Sequence, residues 1–219
     1  DFSFTVSLTP PFSLFDNKDY ANLANNPSAG NYSEQLQEKY RWIEYHKWKF
    51  KSRTYTSLSG GNKCLVLMTR VEFGILGSYN KSKKSPFETF YVGGDGTSGY
   101  TSTYATETIG MRGYDNGSLT PNGYSGYAYD RFTVELRYPF MLNNSTNIYG
   151  LVFAEGGNAW NSVRKFNPFD MKRSVGAGVR IFLPMVGLMG IDWAYGFDDV
   201  FGSKTYSGSH FHFILGQEF

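Results

Sequence analysis

The segment "RFTVELRYPF", residues 131–140, alternates between polar and apolar side chains from Arg131 to Tyr138. Period-two alternation of this kind is typical of a β-strand with one apolar face and one polar face. The apolar face carries Phe132, Val134, Leu136 and Tyr138, and the polar face carries Arg131, Thr133, Glu135 and Arg137. Because charged residues fill one whole face, the strand predicts a sheet whose two sides meet very different environments.

The same alternation recurs on both sides of this segment. It is clear in "LVLMTRVEFGILGSY" (65–79), "SVGAGVRIFLP" (174–184), "LMGIDWAYGF" (188–197) and "HFHFILGQEF" (210–219). A polar insertion over residues 15–40 interrupts the pattern and predicts one helical turn near its end. The sequence therefore predicts an all-β protein of about nine strands. They lie at 2–10, 40–56, 63–79, 86–94, 128–140, 148–160, 173–184, 188–197 and 210–219.

Composition excludes several classes of protein. Lys and Arg number 21 against 19 Asp and Glu in 219 residues, so the chain lacks the basic excess of a nucleic-acid-binding protein. It contains no apolar run of about 18 residues, the length that a transmembrane helix requires. Its single cysteine, Cys64, cannot form an internal disulfide. Asp1 opens directly onto a strand pattern without a signal peptide, which predicts a processed chain or a fragment.

Two arrangements fit strands with one apolar and one charged face. A soluble β-sandwich buries the apolar faces against each other, whereas a membrane barrel turns them to lipid and lines its lumen with the polar faces. Aromatic residues near the ends of the apolar faces favour the barrel. So does the alternation of long connections with short ones, "NKSKKS" (80–85), "MLNNSTN" (141–147) and "MVG" (185–187). We therefore predict an antiparallel transmembrane β-barrel in the bacterial cell outer membrane, with "NKSKKS" as a solvated turn.

Four segments together resemble one family. They are "FYVGGDGTSGY" (90–100), "GMRGYD" (110–115), "VFAEGGNAW" (152–160) and the final strands, which end in "FHFILGQEF" (211–219). In this order they resemble the C-terminal barrel of the BamA family, the insertases of bacterial outer membranes. They are also similar to the related two-partner secretion transporters and TamA proteins. The style of "LTPPFSLF" (8–15) and "RWIEYHKWKF" (41–50) resembles members from Bacteroidetes-type bacteria.

The resemblance implies a domain organisation. The family barrel has sixteen strands, so residues 1–219 would form its C-terminal portion, with a long extracellular loop at about 95–127 and the final strand at 210–219. An odd strand count is then expected, because the remaining strands lie elsewhere. The partners implied are outer-membrane lipid, unfolded outer-membrane proteins, other assembly-machinery subunits and the periplasmic POTRA domains of the parent chain.

The resemblance also implies a contact between the long loop and the lumen. In the family this loop folds inward and its arginine meets acids on the barrel wall, which assigns Arg112, Gly113 and Tyr114 to the loop tip. Alternation independently places Glu135 on the polar face of its strand. The alternative is an arginine that remains in solvent.

A second pair of wall residues follows from the motif in "VFAEGGNAW". By the resemblance, Phe153 and Glu155 point into the lumen, with Glu155 standing where the family usually has Asp. A guanidinium group shielded from water favours planar carboxylate partners, so Glu155 is a reasonable partner for Arg112.

The last strand carries the second set of candidate residues. Phe211, Phe213, Leu215 and Phe219 form its apolar face, which resembles the C-terminal signal of outer-membrane proteins. In the family this strand is one side of a lateral gate, and Gly216 is the expected point at which pairing ends. An ordinary closing strand is the alternative.

No catalytic, metal or cofactor site is predicted. His210 and His212 share a strand face, but no third ligand stands at a useful spacing. No nucleophile motif is present, so the chain is not expected to be an enzyme. The resemblance implies an insertase that folds and inserts other β-barrels by strand-edge templating at a lateral gate. The alternatives are a two-partner-secretion or porin-like transport barrel and a membrane anchor for a fused surface enzyme.

Overall fold

A computed structural model describes residues 1–61, 63–96, 107–143, 146–184 and 187–215. Strands dominate, and the one α-helix of these residues, α1, spans Tyr32–Lys39. Short 3-10 turns occur at Phe12–Leu14, Pro121–Gly123 and Val163–Lys165. The strands are β1 (Phe2–Leu8), β2 (His46–Ser57), β3 (Val66–Gly77), β4 (Phe90–Val92), β5 (Glu107–Ile109), β6 (Ala128–Leu142), β7 (Asn147–Trp160), β8 (Lys172–Leu183), β9 (Gly187–Asp199) and β10 (Tyr206–Leu215).

Eight of these strands form one antiparallel sheet in the order β1-β2-β3-β6-β7-β8-β9-β10. Neighbours in the sheet follow one another along the chain except β3 and β6, which are separated by the connection 78–127. The registers are regular, apart from shifts between Pro139 and Met141 and between Tyr206 and Gly208. Within the described residues, β1 and β10 each pair on one side only, so the sheet is not closed.

The prediction that segment 86–94 is a strand of the main sheet is wrong. Only Phe90–Val92 is extended, and it pairs in parallel with β5 as a separate two-stranded sheet. Gly93 and Gly94 follow at φ of 125° and 79°, a backbone that ends the strand and turns the chain. The main sheet therefore has eight strands in the described residues rather than nine. Alternation correctly indicated an extended segment but could not identify its pairing partner.

Burial agrees with the alternation along "RFTVELRYPF". Thr133 and Glu135 are 1% and 2% exposed on the concave face, whereas Val134 and Tyr138 are 51% and 45% exposed on the outer face. The final strands repeat the pattern, with buried Asp192 beside exposed Trp193. The sheet thus carries its charges inside and its apolar side chains outside, the reverse of a soluble sandwich.

The concave face encloses part of the connection between β3 and β6. Phe90 and Val92 of β4 and Met111 and Tyr114 of the following loop are fully buried, and they pack with Tyr129 of β6. The main hydrophobic cluster therefore lies between the sheet and this connection. The described helices include none that is long and apolar enough to cross a membrane.

The segment "NKSKKS", predicted as a short solvated turn, contains an exposed turn at Lys81 and Ser82 but differs from the prediction in two respects. It belongs to the long connection 78–127, at the same end of the sheet as the insertion between β1 and β2. Lys83 is 2% exposed, and its Nζ lies 3.4 Å from Oε1 of Glu44. The neighbouring Lys81 and Lys84 remain exposed, because successive side chains of the segment point in different directions.

Candidate functional site at the loop tip

The loop after β5 runs against the concave face of the sheet. A backbone bridge between Gly94 and Met111 holds its start. Gly113 has a φ of 86° and lies so close to the wall that an added Cβ would stand 2.8 Å from Cβ of Ser174 and 3.1 Å from the backbone N of Gly196. Glycine is required here both by its conformation and by the close approach. The loop tip is therefore fitted to β8 and β9.

Arg112 lies at the centre of this contact and is fully buried. Its Nη2 donates to Oε2 of Glu135 at 3.0 Å and to Oε1 of Glu155 at 2.7 Å, and its Nη1 donates to Oδ2 of Asp192 at 3.0 Å. Its backbone N–H donates to Oε2 of Glu155 at 2.9 Å. The guanidinium carbon stands 3.4 Å from the ring centroid of Phe153, a favourable cation–π position.

Thus the structure brings together Arg112 with Glu135, Phe153 and Glu155. Asp192, the third carboxylate on Arg112, was missed by sequence reasoning. Its signal was available, because it alternates with Ile191 and Trp193 on the polar face of its strand. Alternation by itself could not show that β9 curves round to the same point as β6 and β7.

The carboxylates are shared with arginines of the wall. Arg131 donates to Glu155 at 2.9 Å, Arg137 to Glu135 at 2.5 Å, and Arg180 to both oxygens of Asp192 at 2.5 and 2.7 Å. Alternating charge in one buried network compensates the cost of taking each ion out of water.

The pKa of Arg112 reflects the same balance. Burial lowers it, but the carboxylates of Glu155, Glu135 and Asp192 outweigh burial and raise the pKa above its ordinary value. The guanidinium group is therefore a permanent positive charge. Such a group is suited to anchoring a loop rather than to transferring protons.

Two histidines of β10 extend the contact to the terminal strand. The backbone N–H of Gly113 donates to Nε2 of His212 at 2.9 Å, and Nδ1 of His210 lies 3.3 Å from Oδ1 of Asp115. The two imidazole rings stack with centroids 6.1 Å apart. Sequence reasoning placed both histidines on one face but assigned them no partner, since their partners lie almost a hundred residues earlier in the chain.

Tyr114 completes the loop tip. Its side chain is fully buried and its hydroxyl donates to the backbone carbonyl of Arg173 at 2.8 Å. Burial raises the pKa of the Tyr114 hydroxyl, so it remains a neutral donor. The three loop-tip residues therefore contact β6 to β10 in one continuous patch.

The predicted residues of the last strand lie on the other face. Phe211, Phe213 and Leu215 are 65%, 65% and 71% exposed and point away from the Arg112 network. Gly216 and Phe219 fall outside the described residues. The structure thus separates the two predicted sets, with the loop contact inside the sheet and the terminal apolar row outside it.

The chemistry of the site is that of a scaffold. In the described part of the chain, no three His, Cys, Asp or Glu side chains are grouped as metal ligands. Every carboxylate of the network accepts hydrogen bonds from arginine, an arrangement that fixes geometry. The site can therefore hold the loop tip, Arg112 to Tyr114, inside the sheet.

An antiparallel sheet with charges on its concave face, apolar residues outside and a loop bound within defines the class of outer-membrane β-proteins. Comparison with known families matches residues 5–219 to the Omp85 superfamily domain, and the chain belongs to this superfamily. Members are outer-membrane proteins of Gram-negative bacteria and organelles, and they act as insertion or secretion barrels rather than as enzymes. No curated protein matches the chain significantly.

Proposed function

We propose that this chain is the C-terminal part of an outer-membrane insertase that folds and inserts other β-barrel proteins. The observation that carries the proposal is the terminal strand β10. Its inner face is bound to the loop tip through His212, while Phe211, Phe213 and Leu215 stay exposed on its outer face. A terminal strand that is anchored on one face and apolar on the other is suited to guide an incoming strand.

Strand-edge templating is the mechanism that fits such a terminal strand. Main-chain N–H and C=O groups of an edge strand can pair with any extended peptide, and so they bind without regard to sequence. The row Phe211, Phe213 and Leu215 would then set register through alternate side chains. Gly216 and Phe219 would extend this gate and the C-terminal signal.

The Arg112 network would stabilise the geometry of the lateral gate. Glu135, Phe153 and Glu155 hold Arg112 against β6 and β7, and His212 joins the same loop tip to β10. A fixed loop limits how far β8 to β10 can move when the edge opens. Arg112, Gly113 and Tyr114 are thus proposed as positioning residues for the lateral gate, without a catalytic role.

The proposal places residues 1–219 in a sixteen-stranded barrel with the loop at about 95–127 on the extracellular side. The partners would be outer-membrane lipid, unfolded outer-membrane proteins, the POTRA domains of the parent chain and other assembly subunits. More specifically, we propose that the chain is a BamA-type member of the superfamily from a Bacteroidetes-like bacterium. No nucleotide or cofactor is needed, since pairing of strand edges supplies the free energy.

Depletion of the parent protein tests the proposal. An insertase predicts that many unrelated outer-membrane β-proteins decline together in quantitative proteomics of the outer membrane. Loss of a single secreted partner, with other barrels unchanged, would show a secretion transporter instead.

A photo-crosslinking residue in place of Phe213 tests the gate directly. Nascent outer-membrane proteins should cross-link at this position during assembly. The matched control replaces Val152, which is 53% exposed on the outer face of the central strand β7. Equal cross-linking at both positions would contradict a role for β10 as the template.

A further inference from the structure

A groove of about 430 Å³ lies at the loop end of the sheet. It is separate from the Arg112 network, and its walls come from the end of β3, the "NKSKKS" segment and the Val163–Lys165 turn. The groove exists because the connection between β7 and β8 folds back over the outer face. Phe166 of that connection packs on Trp160 at 4.9 Å and on Phe73 at 6.3 Å between ring centroids.

Three cations line this groove: Lys81, Lys84 and Arg164. All three are exposed, and within the described residues none forms a salt bridge with a carboxylate. Lys84 has its Nζ 5.2 Å from the ring centroid of Tyr127, a contact that leaves its charge uncompensated. The contrast with Lys83, buried on Glu44 in the same segment, shows that paired and unpaired lysines are segregated to different sides.

The rest of the groove is apolar or neutral. Ile75, Leu76 and Val163 also line it, and Ser78 and Ser162 add hydroxyl groups. Ile75 lies on the outer face of β3, in line with Phe73, so the apolar lining continues into the apolar outer face of the sheet. A ligand that fits must therefore combine an anionic head with an apolar body.

We propose that this groove binds the phosphorylated headgroup of a membrane lipid. Lys and Arg near a bilayer surface attract anionic lipid, and their aliphatic stems can lie along apolar side chains while the charged ends reach a phosphate. Arg164 can donate two parallel hydrogen bonds to one phosphate, and the two lysines can supply point charges. The acyl chains would lie along Ile75 and the apolar outer face of the sheet that continues from it.

A lipid is favoured over a soluble anion by position. The groove opens at the boundary between the apolar outer face and the polar loops, where the headgroups of an outer-membrane leaflet lie. The inference rests on the outer-membrane location of the superfamily and is independent of insertase activity. A lipid held here would fix the connection 161–171 on the sheet.

Native mass spectrometry of the purified, folded protein in detergent tests the site. The probe is a bis-phosphorylated glucosamine lipid, compared with the same lipid lacking both phosphates and with phosphatidylethanolamine. The variant Lys81→Gln/Lys84→Gln/Arg164→Gln should bind the phosphorylated lipid more weakly, by about fivefold for each cation removed. The matched comparison sets Lys84→Gln/Arg164→Gln against Arg41→Gln/Lys204→Gln, which removes two exposed cations of the same end outside the groove, and binding to this control should stay unchanged.

Two results would overturn the proposal. One is equal loss of binding in the groove and control variants, which would mean that total charge alone attracts the lipid. The other is equal retention of the lipid with and without its phosphates. If the triple variant does not fold, Lys84→Gln and Arg164→Gln tested singly carry the same expectation of about fivefold weaker binding. Because no client protein enters this assay, a failure of the insertase proposal leaves its outcome unaffected.

Discussion

Two segments at the loop end of the sheet are held by a buried cation, and they differ in how that cation is compensated. Arg112 meets three carboxylates at 2.7 to 3.0 Å and is fully buried. Lys83 meets Glu44 alone, at 3.4 Å, with the Tyr20 ring centroid 4.5 Å from its Nζ. The first cation holds the loop tip inside the sheet, and the second holds the insertion between β1 and β2 against the connection 78–127.

The difference shows what makes a buried charge an anchor. A guanidinium group offers five donors in a plane, so several strands can bind it at once, whereas an ammonium group is a compact point charge. Removing the better-compensated cation leaves more stranded carboxylates behind. The loss of stability on removing a cation should therefore increase with the number of its carboxylate partners. It should be largest for Arg112 and smallest for the more exposed ion pairs.

The largest effect is expected for Arg112→Ala. It leaves Glu135, Glu155 and Asp192 with fewer donors in a buried site, which should lower the free energy of unfolding by about 5 kcal/mol, the upper end for a broken buried pair. The folded form of an outer-membrane protein migrates differently on unheated gels, so the temperature at which this form disappears measures the loss. Arg112→Lys, which keeps the charge but loses the planar fork, should fall between wild type and Arg112→Ala. An unchanged transition temperature in Arg112→Ala would contradict the role of Arg112 as an anchor of the loop.

A smaller effect is expected for Lys83→Met. Its single ion pair is looser, and Glu44 keeps the backbone N–H of Ser13 at 2.9 Å, so the free energy of opening this insertion locally should fall by about 3 kcal/mol, the lower end of the range. The damage should be local, seen as faster protease cleavage within residues 9–45 at an unchanged transition temperature. Adding Glu44→Gln should restore much of the protection, because the stranded charge is gone. A fall in transition temperature as large as that of Arg112→Ala would contradict the expected difference between the two cations.

The histidine contact on β10 should rank third. His212→Leu leaves the buried N–H of Gly113 without its acceptor, a cost of about 1–2 kcal/mol. His212→Gln offers a carbonyl acceptor and should lose less. Hydrogen exchange at the Gly113 amide is the direct measurement, with His46→Gln as a control outside this contact. Unchanged exchange in His212→Leu would contradict a link between loop tip and terminal strand.

The smallest effect is expected from pH at Glu107, which pairs with Lys47 at 2.9 Å and Lys49 at 2.8 Å. Burial raises its pKa, but the two lysines outweigh burial and hold the pKa below its ordinary value. The stabilisation is therefore complete above the pKa of an unfolded glutamate and is lost as the pH falls through the lower folded value. Protease cleavage in the connection 78–127 should accelerate in that acidic range. Glu107→Gln should cleave at the faster rate at neutral pH and lose this acid dependence.

The fold was largely predictable because its main signal is local. Alternation in "RFTVELRYPF" decides which side chains point to each face, and this holds whatever the strand pairs with. The same signal failed at residues 86–94, where an extended segment pairs with β5 instead of entering the main sheet. Alternation describes the shape of a segment but contains no information on its partner.

The residues of the candidate site also fall into those that the sequence could predict and those that it could not. Arg112, Glu135 and Glu155 could be named from a motif and a strand face, whereas Asp192 and His212 could not be joined to them. Their contacts span 80 and 99 residues of chain. Only the curvature of the sheet brings β6, β7, β9 and β10 around one loop.

By itself the sequence determined that the strands form a sheet with charged and apolar faces, since both follow from the order of residues along each strand. The resemblance of "GMRGYD" to a family signature added the prediction that Arg112 and Gly113 lie at a loop tip. The tertiary structure decided which carboxylates receive Arg112, that Lys83 is buried while Lys81 and Lys84 are exposed, and that β4 leaves the main sheet. These outcomes depend on distances between segments far apart in the chain, and such distances are set by how the whole sheet curves and packs.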